Sequence, residues 1–404
     1  MNAAQIAVDD ELAARVAWSR LIEPGDAVAG ELVRTLGAGR ALVWARAAAS
    51  SDDVATLVTA LVDAEPSLGE VRRRLGTAVG RWAGRFADLD PSRDLERMHR
   101  LGGGVLHPGS VGWPSGLADL GPIAPMCLWV RGRLEVSASL DRSIALVGAR
   151  ASTSYGEHVA VDLAAGLAEH STCVVSGGAY GIDAAAHRGS LAAGGTTVAL
   201  LAGGVDRAYP VGNAPLLERI LEQGGSVLSE VPPGGVPSKG RFLMRNRLIA
   251  AVSRATVVVE AAWRSGALST ANHAIALLRP VGAVPGPVTS MASAGCHRLL
   301  RDGAAVCVTD AAEVLELAGR AGEDLPPERV TETRDGDDLD WASRRLLDAL
   351  PGRAPMEHDE LARTAGLSVG EVRGALGVLE LAGLARRVGA GWARPVRGPT
   401  GRRP

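Results

Sequence analysis

The chain has 404 residues, of which 47% are apolar and 22% charged, and its formal net charge is −2. That length exceeds a single compact core and predicts two or three domains, while the near-neutral charge excludes a protein that coats nucleic acid through overall basicity and leaves only a local basic surface for a polyanion. The apolar runs are too short to span a bilayer, the N-terminus has no signal-peptide pattern, and the four cysteines form no C-x-x-C pair, which predicts a cytoplasmic protein with reduced thiols, no zinc knuckle, no disulfide framework and no membrane partner.

Residues 1–100 read as a small helical domain. Apolar residues fall at helical spacing (Leu12, Val16, Leu21, then Leu57, Leu61, Val71) in a background rich in Ala and Arg. A packing module and a DNA-contacting helical hairpin both fit that pattern.

Over residues 101–321 the texture changes. After a Pro/Gly-punctuated stretch at 107–125, short apolar runs rich in Val, Ile, Leu and Ala at 144–147, 173–175, 197–201, 226–228, 256–259 and 281–284 alternate with helical patterns. Strands without polar alternation are covered on both faces, so this segment is expected to be α/β, a Rossmann-like, doubly wound, mostly parallel sheet. Residues 322–338 combine adjacent prolines with acids and form an acidic linker. Residues 339–396 read as a winged helix: helical patterns from Leu346, a capping box of Ser368 with Glu371, and a closing hairpin around 389–391. Its basic groups (Arg386, Arg387, Arg394, Arg397) follow the second helix of the motif rather than lie on it, which predicts an accessory role; residues 397–404 are a basic tail.

In an open parallel sheet, ligands bind beyond the carboxyl ends of the strands. The loop after the first run, 148–156 (GARASTSYG), offers a tight helix start and the Arg150 fork to an anion. The next, 176–183 (SGGAYGID), places Ser176, Gly177 and Gly178 where backbone can approach a ligand closely. Asp183 and His187 lie one turn apart, but no third group is spaced to complete a metal site, so helix-terminal pairing and hydrogen bonding are expected of them. All three tyrosines, Tyr155, Tyr180 and Tyr209, fall in these loops, for base stacking or for structural hydrogen bonds.

The strongest electrostatic feature is 239–247 (KGRFLMRNR). No acid occurs between Glu230 and Glu260, whereas Lys239, the only lysine in the chain, accompanies Arg241, Arg245, Arg247 and Arg254 around Phe242. Phosphate pairing plus an interleaved aromatic suits a sequence-tolerant single-strand site. A solvated helix start with Phe242 buried and Arg245 or Arg247 paired with Glu260 is the other reading. On the first, Phe242→Ala removes a stacking face and leaves the salt dependence of binding nearly unchanged. No catalytic residue, cofactor or metal set emerges, which predicts binding without catalysis.

Together these loops resemble the DNA-processing protein A (DprA/Smf) family. The likeness runs in order from His107 to Ala304 through VGAR-x-S-x-x-YG, SGGAYGID-x-x-AH, AGGVD-x-x-YP-x-x-N, F-x-x-RNR-x-IA, VVEA, SGAL-x-TA-x-x-A and VPGPV. Ala149 and Tyr180 depart from it, standing where serine and a basic residue are common. The resemblance implies a SAM-like N-terminal domain, a single-stranded DNA site at Arg150, Lys239 and Phe242 with Ser176, Gly177, Gly178, Arg241, Arg245 and Arg247 close by, a homodimer, and a RecA-type recombinase as partner during natural transformation. The competing class is a nucleoside monophosphate phosphoribohydrolase, whose P-G-G-x-G-T-x-x-E signature this chain lacks.

Overall fold

The computed structural model describes residues 10–319 and 339–395. The chain divides into two compact units, Met1–Pro326 and Pro327–Pro404. The expected acidic linker, the basic tail and Arg397 lie outside the described residues.

The first unit opens with helices α1 (Glu11–Leu21), α2 (Ala27–Leu36), α3 (Ala38–Ala49), α4 (Val54–Ala64), α5 (Arg72–Ala83) and α6 (Pro91–Arg100). Aspartates fix several of their starts: Asp10, Asp26, Asp53 and Asp90 each accept a hydrogen bond from a first-turn N–H, and Pro91 fills the first helical position after Asp90. Of the apolar positions read from the sequence, Val16, Leu21 and Val71 are buried, whereas Leu12, Leu57 and Leu61 are half-buried. Trp18 and Trp82 meet edge to face with centroids 5.2 Å apart. Each indole finds an acceptor, Trp18 at the Ala38 carbonyl and Trp82 at Asp26, so two large apolar bodies are buried without stranding their N–H groups.

The same unit continues into a nine-stranded sheet of β1 (Gly103–Leu106), β2 (Leu128–Gly132), β3 (Ser143–Gly148), β4 (Cys173–Ser176), β5 (Thr197–Leu201), β6 (Ser226–Ser229), β7 (Ala255–Glu260), β8 (Val281–Ala283) and β9 (Val306–Cys307), in the order β1-β2-β6-β5-β4-β3-β7-β8-β9. From β6 to β9 the pairings are parallel; β2 joins β6 antiparallel and carries β1 outside it. Helices α7 (Val136–Leu140), α8 (Ser154–Glu169), α9 (Ile182–Ala192), α10 (Ala214–Glu222), α11 (Lys239–Val252), α12 (Ala267–Ala276), α13 (Ala294–Arg301) and α14 (Ala311–Ala318) make the connections. Strands β4 to β7 are buried at every position, as runs without polar alternation require. This is the expected Rossmann-like fold. Strands β1, β2 and β9 escape the sequence reading: β1 begins with two glycines, β2 runs from three apolar residues into Arg131 and Gly132, and β9 has only two residues, both exposed.

Strand order reverses at β3, which has β4 on one side and β7 on the other. The loops after β3 and β7 therefore diverge, and a crevice opens between them.

The second unit contains α15 (Trp341–Ala349), α16 (His358–Ala365), α17 (Val369–Leu381) and the antiparallel pair β10 (Arg386–Val388) and β11 (Gly391–Ala393). The Ser368/Glu371 capping box is formed in full, and Gly366 turns the chain between α16 and α17 in the left-handed conformation (φ 64°). Leu346, Leu361, Val372, Leu376 and Leu379 build its core. It is a winged helix.

Candidate nucleic-acid interface

A cleft of about 720 Å³ lies at the β3/β7 crevice, lined by the loop from Gly148 to Ala151, the start of α11, and the Arg264–Ala267 loop. Ser238 caps α11, its hydroxyl accepting from the Arg241 N–H, and this sets Lys239 and Phe242 on the cleft wall. The Arg150 guanidinium lies 4.3 Å above the Phe242 ring centroid, and Tyr209 leans on the same ring at 5.7 Å. Phe242 is half-buried and Arg150 exposed. A cationic plane stacked on an aromatic ring thus forms one wall.

The basic residues sort by their partners. Arg150 and Lys239 are exposed in the cleft and carry no hydrogen bond or ion pair to a described residue. Arg264, on the loop after β7, lines the same cleft with the same freedom. Sequence reasoning missed Arg264 because its loop reads as a neutral Ser/Gly turn, and only the parallel pairing of β7 with β3 brings that loop to the cleft that Lys239 lines.

Other basic groups are held within the protein. Arg241 points away from the cleft into a two-pronged pair with Glu23 (2.9 and 3.0 Å) and donates to the Val236 carbonyl. Partial burial pushes the Glu23 carboxyl up, but hydrogen bonds from Arg241 and Arg85 outweigh it and hold the group below its usual range. Arg247 is buried and donates to both Glu230 oxygens at 2.7 and 2.8 Å. The pair expected with Glu260 does not form: Glu260 accepts from the backbone N–H and hydroxyl of Thr153, at 2.9 and 2.6 Å. The anion at the start of α8 is therefore the protein's own carboxylate, which corrects the expectation of a ligand anion there. Arg254 stands before β7, at the far end of α11 from the cleft.

Arg245 lines the cleft but is buried, donating to the carbonyls of Gly177 (2.7 Å) and Leu200. Desolvation pulls its pKa down to about 10, against the pull of Asp183, so it remains cationic at neutral pH. The glycine-rich loop serves this arginine. A Cβ on Gly177 would fall 2.5 Å from the Arg245 guanidinium, and one on Gly181 2.3 Å from the Ala149 carbonyl oxygen. Ser176 is also buried, its hydroxyl donating to the Leu146 carbonyl at 2.7 Å. Ser176, Gly177 and Gly178 are all buried and none lines the cleft; the Gly177 carbonyl accepts from Arg245, which does.

Asp183, buried beside Arg245, accepts from the Ala179 N–H at 3.3 Å, and burial raises its pKa. His187 is fully buried, and burial drives its pKa down to about 3. Its Nδ1 lies 2.7 Å from the Thr197 hydroxyl, which itself donates to the Val174 carbonyl; Nδ1 therefore carries the proton and donates. No group of three or more metal-ligating side chains occurs among the described residues. The tyrosines are 40–50% exposed at the rim: Tyr155 donates to the Pro285 carbonyl, and Tyr209 packs on Phe242.

Comparison with known proteins decides what this rim belongs to. Residues 104–319 match the family model described as DNA recombination-mediator protein A, and residues 330–391 match the DprA winged helix domain. A Mycobacterium tuberculosis protein named for DNA processing protein DprA is 47% identical over 342 residues, covering 80% of this chain and 87% of that one. The chain belongs to the DprA/Smf family. Protein Smf of Escherichia coli is 38% identical over 272 residues, covering 67% and 72% of the two chains. The X-ray structure of DprA from Streptococcus pneumoniae superposes with a TM-score of 0.54 at 30% identity, covering 68% of this chain and 96% of that one. The DprA/Smf assignment thus spans the sheet that forms the cleft and reaches the winged helix. No helix among the described residues is long and apolar enough to cross a membrane.

Proposed function

We propose that this protein binds single-stranded DNA in the β3/β7 cleft without breaking bonds, and hands the strand to a RecA-type recombinase in natural transformation. In this role it acts in the cytoplasm as a homodimer. Residues 1–100, 101–321 and 339–396 are its helical, strand-binding and accessory parts. The observation that carries the reading is the Phe242–Arg150 stack with Lys239 and Arg264 unpaired around it. Phosphates pair with the free cations, and bases stack on planar groups that every base can use, so the site takes a strand without reading its sequence. Arg150, Lys239 and Phe242 make the contacts, with Arg264 added. Arg245 lines the cleft beneath them, held by the Gly177 carbonyl with Ser176 and Gly178 buried behind it, while Arg241 and Arg247 fix α11 to its surroundings.

Binding is favoured over the phosphoribohydrolase alternative by the cleft's carboxylate content. Among the described residues the only carboxylate lining it is Asp183, which is buried and engaged by a backbone N–H. The test is a titration of labelled oligo-dT, a hairpin duplex and a mononucleotide at several salt concentrations, alongside an assay for base release. The expected result is preference for the single strand, weakening with salt and lowered by about 1–3 kcal/mol in Lys239→Ala, the range for a charge-assisted contact. Equal affinity for the hairpin, or release of base, overturns the proposal.

A further inference from the structure

At the other end of the same rim a second basic hollow opens. Strands β6 to β9 run parallel, so the loops that follow them share one edge of the sheet in the order of the strands. The loop after β6 contributes Pro233 and Gly234 to a hollow of about 590 Å³ whose remaining wall is α6, the residue after it, and Arg20 of α1. Arg93, Arg97 and Arg100 stand at i, i+4 and i+7 of α6, hence on one face of the helix, and all three line the hollow. Two acids meet this cluster and both are engaged: Asp94 by Arg20, and Asp206 by Arg97 at 2.6 Å. Arg93 and Arg100 are exposed and carry no hydrogen bond or ion pair to a described residue. Like charges three and four residues apart on a helix repel one another, and a phosphate between them relieves that repulsion through the bidentate geometry guanidinium favours.

The hollow and the cleft are joined by one loop. Asp206, held by Arg97 and by the Gly234 N–H (2.8 Å), begins the turn that carries exposed Arg207 and then Tyr209, whose ring rests on Phe242. Between β6 and β3 lie three strand spacings, about 14 Å, roughly four nucleotides at the rise of a stacked strand.

We propose that the α6 hollow is a second phosphate seat for the same single strand, reached across the Arg207–Tyr209 loop from the cleft. This rests on the cleft being the strand's first seat, so the two must be able to fail separately. The experiment measures affinity for an oligo-dT ladder of about 4 to 16 nucleotides, using the full chain, Arg93→Gln/Arg100→Gln, Arg93→Glu/Arg100→Glu and Arg150→Ala. Glutamine keeps the helix propensity and much of the stem of arginine, and neither arginine carries a structural bond, so matching melting curves are expected.

The unaltered protein should gain affinity in two steps as the ladder lengthens. The glutamine pair should bind the shortest strands normally, lack the second step, and show a salt slope on long strands smaller by about 1.4, the share of two phosphates on a single strand. The glutamate pair should lose more, and Arg150→Ala should weaken every length. Long strands bound by the glutamine pair with unchanged affinity and slope overturn the second seat, as does a loss equal at all lengths. An unaffected Arg150→Ala protein overturns the cleft reading instead.

Discussion

Phe242→Ala probes the wall of the cleft more sharply than any charge change. The ring is half-buried, with Arg150 above it at 4.3 Å, Tyr209 at 5.7 Å and Arg245 at 5.9 Å. Its removal takes away a stacking face, about 1–3 kcal/mol per base, and also the seat of Arg150, about 0.5–1 kcal/mol for an exposed cation on a ring. Sequence alone treats aromatic and cation as separate contacts, with the salt slope of Phe242→Ala intact. The observed stack couples them. Phe242→Ala and Arg150→Ala should therefore cost less together than the sum of their separate costs, by about 0.5–1 kcal/mol. The salt slope of Phe242→Ala should fall by part of one phosphate, up to about 0.7. Fluorescence anisotropy of labelled oligo-dT at several salt concentrations, with urea melts to confirm folding, measures all four corners of the cycle. Costs that add within about 0.3 kcal/mol, with the Phe242→Ala slope unchanged, refute the coupling.

Arg247→Ala should destabilise the fold by about 3–5 kcal/mol in denaturant melts, because it leaves Glu230 buried without its partner, while single-strand affinity of the folded fraction stays as it was; a stable protein with weakened binding would return Arg247 to the interface. His187 has a folded pKa of about 3 against an ordinary 6.5, so its contribution is full above 6.5 and is lost as pH falls toward 3. His187→Asn keeps a donor for Thr197 but does not titrate, and the stability difference between wild type and variant should fall by about 2 kcal/mol from pH 7 to pH 5; parallel stability curves would contradict this. Outward positions of α17 include Glu371, Arg373 and Glu380, a mixed surface poorly suited to a phosphate backbone. Removing residues beyond 338 should accordingly leave most single-strand affinity in place, and a loss as large as that from Lys239→Ala would show the winged helix gripping DNA directly.

The sheet was legible because β3 to β8 are buried almost throughout and carry apolar runs without polar alternation, each followed by a loop of small and polar residues; alternation would have hidden which loops share an edge. The capping box at Ser368 was legible for the same local reason, since both partners lie within one turn. Pairings distant in sequence were not. Arg241 meets Glu23 across 218 positions, and Arg247 takes Glu230 rather than the Glu260 expected of it, so an acid-free stretch of five cations yields only Lys239 as a free cation in the cleft. Composition gives the number of charges near a site, but which remain unneutralised depends on how the helical region seats against α11. The glycines of 176–183 likewise announce close approach without naming what approaches, and the nearest group to Gly177 is the Arg245 guanidinium.

The central claim is that a single strand lies against the β3/β7 cleft, and ultraviolet cross-linking of the full chain to oligo-dT, followed by peptide mapping, tests it most directly. Adducts are expected on Phe242 and Tyr209, the aromatic groups beside Arg150 and Lys239. Adducts confined to residues 339–395, with the peptides carrying Tyr209 and Phe242 unmodified, would contradict it.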